Sequence, residues 1–303
     1  MTDPDPEPAG QLAVDGVPRG QYALDRLVKL LDLEQLEVNL FRGHSPAHSP
    51  VRVFGGQVAG QALVAAGRTV PADRGVHSLH AYFIRPGDPS VPIIYETERV
   101  RDGRSFTTRR VLAIQHGEAI FSLSASFQLP QDGLEHTEPP PDRPVPEPES
   151  LPDLGERVRA GGEAGWMARF ERPLDVRFVD EPMFSPDRRP PSDEPMRVWM
   201  RADGRLPDDP LLHVCLLTYA SDMTLLGSVL ARHEAPSGRV QMASLDHAMW
   251  FHRPFRADEW FLYTCYSPTA SGSRGLATGR FRTSDGTLIA TTVQEGLVRL
   301  PPR

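Results

Sequence analysis

Lysine is nearly absent from this chain. Lys29 is the only one, and arginine supplies the rest of the 33 basic residues. A Schiff-base mechanism would have to rest on Lys29, which sits in a leucine-rich helical pattern, so amine catalysis is discounted. Cysteine is almost as scarce. Cys215 and Cys265 lie far apart, with no second Cys or His at metal-ligand spacing, and read as reduced core residues. No apolar run reaches membrane-spanning length and no charged-then-apolar leader opens the chain. The ending Leu300-Pro301-Pro302-Arg303 carries no peroxisomal or ER address. These absences set the expectation of a cytoplasmic protein with no membrane insertion. A dense basic tract is also missing, and the formal net charge of -7 argues against nucleic acid as a partner.

What is present is ordinary globular composition. The chain has 303 residues, 39% hydrophobic and 24% charged, enough for two domain-sized cores. Residues 1–19 are rich in Pro, Asp, Gly and Glu and read as a flexible extension. Leu24, Leu27, Leu30, Leu31 and Leu33 then give a short amphipathic helix, and Leu36 to Arg42 alternates like a strand. From Phe54 to Ala66 runs a helical segment loaded with small residues. Glycine destabilises a helix unless close approach repays it, so Gly56 and Gly60 predict a central helix hugged by a sheet. Strand candidates follow at His77 to Arg85, Ile93 to Arg101, Ser105 to Gln115 and, past a His116-Gly117 turn, Ala119 to Leu129.

The second half repeats the first. A helical run is expected from Tyr219 through Leu230, after a strand at Met196 to Arg201. Phe54 aligns with Tyr219, Arg85-Pro86 with Arg253-Pro254, and Gly117 with Gly286, at nearly constant offsets. Between the halves, Pro130 to Pro173 is rich in Pro, Glu and Asp and reads as a linker with a short helix from Leu154 to Phe170. The division is therefore an extension over 1–19, a first half over 20–130, a linker over 131–175 and a second half over 176–303. The fold expected is α+β: a double hotdog, two tandem halves each with a long antiparallel sheet wrapped around a central helix. Edge strands and apolar helix faces add the expectation of a homo-oligomer.

The motifs Leu31-Asp32-Leu33-Glu34, Leu40-Phe41-Arg42-Gly43, Val53 to Val58, Tyr82 to Asp88, Tyr219-Ala220-Ser221-Asp222, Asp246 to Arg253 and Thr292 to Gly296 resemble the acyl-CoA thioesterase II family. The similarity runs from about Leu24 to Arg299. The resemblance implies hydrolysis of acyl-CoA to a free acid and CoA, without metal, cofactor or covalent intermediate. It further implies a catalytic trio of Asp222, Ser244 and Gln294, where bacterial members carry Thr at the middle position. Serine there keeps the hydroxyl and loses the methyl with its rotamer restriction.

The chemistry fits these residue types. Asp222 can accept a proton from water, Ser244 and Gln294 can hold that water, and a helix N-terminus can supply N–H groups for the thioester oxygen. Gly55, Gly56 and Gln57 are the candidate substrate-binding residues, with Ser221-Asp222 as an alternative source of N–H donors. Taken alone, Asp222 before a helical run is a plain N-cap, Ser244 a satisfied strand hydroxyl and Gln294 an exposed strand residue. On the repeat alignment Gln57 lies opposite Asp222 and Ala125 opposite Gln294, which predicts one working site per chain.

Asp246 and His247 are expected to support the site, Asp246 by orienting Ser244 or a backbone turn and His247 by capping a contact between halves. Strand alternation places Asp246 on the same side as Ser244 and His247 on the other, which argues against a Ser244-His247-Asp246 triad. His247 and His252 have no third ligand at convincing spacing for a metal. Arg101, Arg104, Arg109, Arg110, Arg274, Arg280 and Arg282 can grip CoA phosphates, but for most of them solvating the outward sheet face is the simpler reading. An enoyl-CoA hydratase-like enzyme of the same fold and a non-catalytic acyl-CoA-binding module are the competing functions. Release of free thiol from a saturated acyl-CoA separates them from a thioesterase.

Overall fold

The structure is a computed structural model that describes residues 17–46, 52–140, 143–160, 171–182, 190–234 and 240–300. The first half contains α1 (Gly20–Leu31), β1 (Glu34–Glu37), β2 (Leu40–Gly43), α2 (Gly55–Gly67), β3 (Gly75–Phe83), β4 (Ile93–Asp102), β5 (Phe106–Gln115) and β6 (Glu118–Gln128). A single 3-10 turn at Pro148–Ser150 and α3 (Leu154–Ala160) lead into the second half. That half contains β7 (Leu174–Phe178), β8 (Met196–Ala202), α4 (Pro210–Ser221), α5 (Gly227–Leu230), β9 (Gln241–Ser244), β10 (Asp246–Phe251), β11 (Phe261–Ser271), β12 (Arg274–Thr283) and β13 (Leu288–Arg299).

All thirteen strands form one antiparallel sheet in the order β1-β2-β4-β5-β6-β3-β10-β13-β12-β11-β8-β7, with β9 paired to β13. The order reads the same from either end once β3 is matched with β10 and β6 with β13, so the two halves are one fold used twice. They join through β3 and β10, from Asp246 opposite Tyr82 to Trp250 opposite Ser78. Equivalent arginines clamp equivalent carbonyls just beyond these strands: Arg85 Nη1 donates to Ala119 O and Arg253 Nη1 to Leu288 O. The expected His116-Gly117 turn is present, with both residues at positive φ of 52° and 76°, the twist that two-residue hairpins need.

The sheet curls around α2 and α4, which pack against each other. From Gly56 to Ala66 every residue of α2 is buried, as expected of a helix that is apolar all round. The two helices run antiparallel: a Cβ on Gly56 would meet the Tyr219 carbonyl oxygen, on Gly60 the Cys215 carbonyl oxygen, and on Gly67 the Leu211 side chain. The glycines expected to allow close approach do so, and what they approach is mainly α4.

The second helix departs from the sequence reading. It starts at Asp209-Pro210, where the Asp209 carboxylate accepts from Leu211 and Leu212 N–H and Pro210 occupies the first turn. Tyr219 lies in its last turn and Asp222 at its C-cap. The pairing of Phe54 with Tyr219 is a contact, edge-to-face at 5.0 Å between ring centroids, and not a repeat equivalence. Gln57 is therefore not the counterpart of Asp222. The strand offsets hold, while the helices obey another offset because α5 and β9 are inserted between α4 and β10.

Of the extension, residues 1–16 lie outside the described residues, and Val17 is already buried. Of the helix expected from Leu154 to Phe170, the first turns form α3 and residues 161–170 lie outside the described residues. Part of the linker is held to the second half: Glu138 bridges Arg280 and Arg282, and Trp199 Nε1 donates to Pro146 O. Arg282 and Arg109 are buried rather than outward-facing, Arg109 against Asp102 and Thr69. Arg110 pairs with Glu98 and Arg274 with Glu295 on the exposed face.

The helix contact yields a graded prediction. A Cβ at Gly56 would stand 2.3 Å from a backbone oxygen that cannot turn aside, whereas at Gly60 its nearest neighbours are at 3.2 and 3.3 Å. Gly56→Ala is expected to destabilise the fold by about 3 kcal/mol and Gly60→Ala by about 1 kcal/mol or less, measured by urea unfolding.

Candidate active site

The C-terminal end of α4 meets the N-terminal end of α2, and Asp222 sits in that junction. Phe54 at the α2 N-cap provides no side-chain cap. Asp222, arriving from the other helix, accepts a hydrogen bond from Gly56 N–H instead. An anion at a helix N-terminus is stabilised by the unsatisfied N–H groups and the aligned peptide dipoles. Space for the carboxylate exists because residue 55 is glycine: a Cβ there would lie 2.5 Å from Asp222 Oδ2 and 2.8 Å from the Phe83 ring.

Two strand residues reach the same carboxylate. Ser244 Oγ donates to Asp222 Oδ1 at 3.0 Å and Gln294 Nε2 donates to the same oxygen at 2.7 Å. Two residues, 22 and 72 positions further along the chain, thus converge on one atom of Asp222, while Oδ2 faces the start of α2. Burial raises the Asp222 pKa above the ordinary carboxylate value, and the hydrogen bonds from Gln294, Ser244 and Gly56 oppose it. Asp222 is half-buried, and the exposed Met223 follows it.

A bulge decides which neighbours join them. Opposite β13, Ser244 pairs with Gly296 but Ala248 pairs with Val293, so the β9–β10 side holds one extra residue. That residue is Leu245, whose N–H donates to Glu295 O and whose carbonyl accepts from Phe83 N–H. Leu245 thereby ties β13 to β3 and shifts the alternation by one. The expected facing is reversed: His247 shares the helix-facing side with Ser244 and Gln294, and Asp246 is on the other. Asp246 does not touch Ser244; its Oδ1 accepts from Glu295 N–H at 2.7 Å and fixes the bulge. Burial raises the Asp246 pKa as well.

His247 is fully buried. Its Nε2 lies 2.8 Å from Ser221 Oγ and 3.5 Å from Thr292 Oγ1, so its contacts are with α4 and β13 and not a cap between halves. Burial lowers its pKa to about 4, with the Gln294 side chain acting in the opposite direction. The Ser221–His247 pair is the feature the sequence reading missed. Ser221 has no exposed surface, which keeps it from acting as a nucleophile on a substrate. The Tyr263 hydroxyl donates to its carbonyl at 3.0 Å and closes this helix end.

Other candidates fall away from the junction. Gln57 points its amide at His44 O and Ser45 Oγ, beside Gln61, and so braces a loop rather than the site. Ser221 and Asp222 offer no N–H cluster, because they end a helix instead of starting one. His252 is on the exposed side against Thr291. Burial raises the pKa of both cysteines, that of Cys265 to about 12, so neither is a ready thiolate. Among the described residues no three His, Cys, Asp or Glu side chains group as metal ligands.

The symmetry-related position in the first half is differently furnished. There the N-terminus of α4 is capped by its own Asp209, the residue at the α2 C-cap is Arg68, and Ala125 replaces Gln294 in the strand register. Carboxylate, amide and free helix start coincide at one end only.

Two family models match the chain: an acyl-CoA thioesterase N-terminal domain over residues 44–128 and an acyl-CoA thioesterase over residues 191–297. The chain is 44% identical to mouse acyl-coenzyme A thioesterase 8 over 292 residues, covering 91% of this chain and 90% of that protein. It is 40% identical to acyl-CoA thioesterase 2 of Haemophilus influenzae over 293 residues, covering 91% and 98%. Among solved structures, an acyl-CoA thioesterase II from Mycobacterium marinum is similar at 47% identity with a TM-score of 0.75, covering 91% of this chain and 98% of that one.

The buried imidazole gives a pH prediction. His247 is neutral in the fold and protonates more readily in the unfolded chain, so the stability it allows is intact above pH 6.5 and is lost as pH falls toward 4. From the shift to about 4 the loss is up to about 3 kcal/mol. Urea unfolding at pH 7 and pH 4.5 is expected to show this loss in the wild type and a smaller one in His247→Phe.

Proposed function

The chain belongs to the acyl-CoA thioesterase II family, and from that membership we propose that it hydrolyses acyl-CoA thioesters to a free carboxylic acid and CoA with Asp222 as the base that activates water. The observation that carries this reading is the convergence of Ser244 and Gln294 on Asp222 Oδ1, which leaves Oδ2 facing the α2 N-terminus.

Ser244 and Gln294 orient the carboxylate. Their donation to Oδ1 fixes its plane, so Oδ2 accepts the proton of a water lying between it and the substrate. The Ser244 lone pairs hold that water, while the buried Gln294 amide acts on the carboxylate itself. As the proton moves to Asp222, the water oxygen bonds to the thioester carbon and negative charge collects on the carbonyl oxygen. Gly55 N–H, at a helix position with no intrahelical acceptor, is the donor for that oxyanion, while Gly56 N–H holds Asp222. Collapse of the tetrahedral species breaks the carbon–sulfur bond, and the proton on Asp222 neutralises the departing CoA thiolate. Serine in the middle position is sufficient here, since a hydroxyl is what the geometry uses. One such site operates per chain.

The direction of the Asp222 shift sets the pH dependence. The base works ionised, so activity falls as pH drops through a pKa raised above the ordinary carboxylate value. Gln294→Ala removes a bond that favours the ionised form and is expected to move the acid limb of kcat to higher pH. Asp222→Asn keeps the shape, loses the base, and is expected to lower kcat by about a thousandfold or more. Thiol release from a series of saturated acyl-CoA chain lengths, with circular dichroism to confirm folding, is the measurement. Unchanged turnover in Asp222→Asn removes the mechanism.

A further inference from the structure

Gln294 can serve Asp222 only in one orientation of its amide. With Nε2 toward Asp222 Oδ1 the bond is favourable, and with the amide turned over two oxygens would face each other. Something must select between these orientations, because the two ends of an amide have nearly the same shape. Gln294 is fully buried, and its Oε1 has no hydrogen-bond partner of good geometry among the described residues. A buried carbonyl oxygen left bare costs about 1–3 kcal/mol.

The group beside it has the complementary lack. His247 uses Nε2 on Ser221 Oγ, and its buried Nδ1 is likewise without a partner of good geometry. One step on from the Ala248–Val293 pair, His247 stands opposite Gln294 across β10 and β13, and the Gln294 side chain acts on this imidazole in addition to Ser221. A neutral imidazole carries one proton. If it sits on Nε2, then Nδ1 and Gln294 Oε1 are two acceptors without a donor. If it sits on Nδ1, the Ser221 hydroxyl turns from Thr218 O, 2.8 Å away, to donate to Nε2, and Nδ1–H is offered to Oε1, so two buried acceptors gain a donor where one helix-end carbonyl loses one. Resting on the reading of Asp222 and Gln294 above, we infer that His247 is a positioning residue: held by Ser221, its Nδ1–H fixes Gln294 Oε1, and so turns Gln294 Nε2 toward the base.

Two amide replacements separate this role from mere packing. The nitrogen of Asn falls near the imidazole Nδ1 and that of Gln near Nε2. His247→Asn keeps the group that faces Gln294, whereas His247→Gln keeps only the contact with Ser221. In steady-state thiol release, His247→Gln is expected to lower kcat about tenfold with KM within about twofold, and His247→Asn to retain most of kcat. In a Gln294→Ala background both replacements are expected to be silent, since the group they act through is gone. Equal loss in the two variants, or effects that simply add to that of Gln294→Ala, overturns the inference. Wild-type kcat in His247→Gln beside an impaired Gln294→Ala also overturns it and leaves the assignment of the trio standing. Wild-type kcat in Gln294→Ala removes the trio and the inference together. Should His247→Gln fail to fold, Ser221→Ala carries the test, its main chain still held by Tyr263: kcat about threefold lower supports the inference and unchanged kcat overturns it.

Discussion

At Gly56 the main chain of α2 comes so near the Tyr219 carbonyl that a Cβ would stand 2.3 Å from it. This approach, open only to glycine, sets the distance between the last turn of α4 and the first turn of α2. It brings a carboxylate that belongs to one helix onto the N–H groups of another. The energetic conflict is local: burial opposes the charge on Asp222, while the α2 N-terminus and two donors favour it. The net upward shift leaves a carboxylate that is a stronger proton acceptor than an exposed one.

The sheet supplies the rest through a single inserted residue. Leu245 spends its own N–H and C=O on β13 and β3, so no backbone group is stranded by the bulge, and Asp246 secures the neighbouring Glu295 N–H. Because side chains alternate along a strand, one extra residue moves His247 from the outward face to the helix-facing one. A polar cluster of Ser221, His247, Thr292 and Gln294 is thereby enclosed beside the carboxylate. Polar groups in such a place are tolerable only when partnered, which ties their geometry to one another.

Duplication explains both the framework and its asymmetry. The strands of the two halves keep matching order and register across the β3–β10 seam, so the sheet is nearly symmetric. The helix ends are not. One helix starts at Phe54 with no side-chain cap and receives Asp222; the other starts at Asp209 and caps itself. A site can form where a helix start is left open, and self-capping closes the alternative.

Much of this was legible in the chain. Alternation and glycine turns placed β3 to β6 and β8 within a residue or two, and small residues marked α2 as buried, because these features are set by local period and sterics. The trio of Asp222, Ser244 and Gln294 was legible only as a motif resemblance. The start of α4 is signalled locally by Asp209-Pro210, whereas the Tyr219 echo of Phe54 is a contact between helices. What the sequence determined by itself was the main strands of the first half, the buried helix and the duplication, each a matter of spacing along the chain. Tertiary structure alone decided that Asp222 ends a helix and caps another, that Leu245 turns His247 inward, and that Gln57 turns away. Those facts depend on groups distant in sequence sharing one desolvated volume, where a single residue of register or one missing Cβ changes which atoms meet.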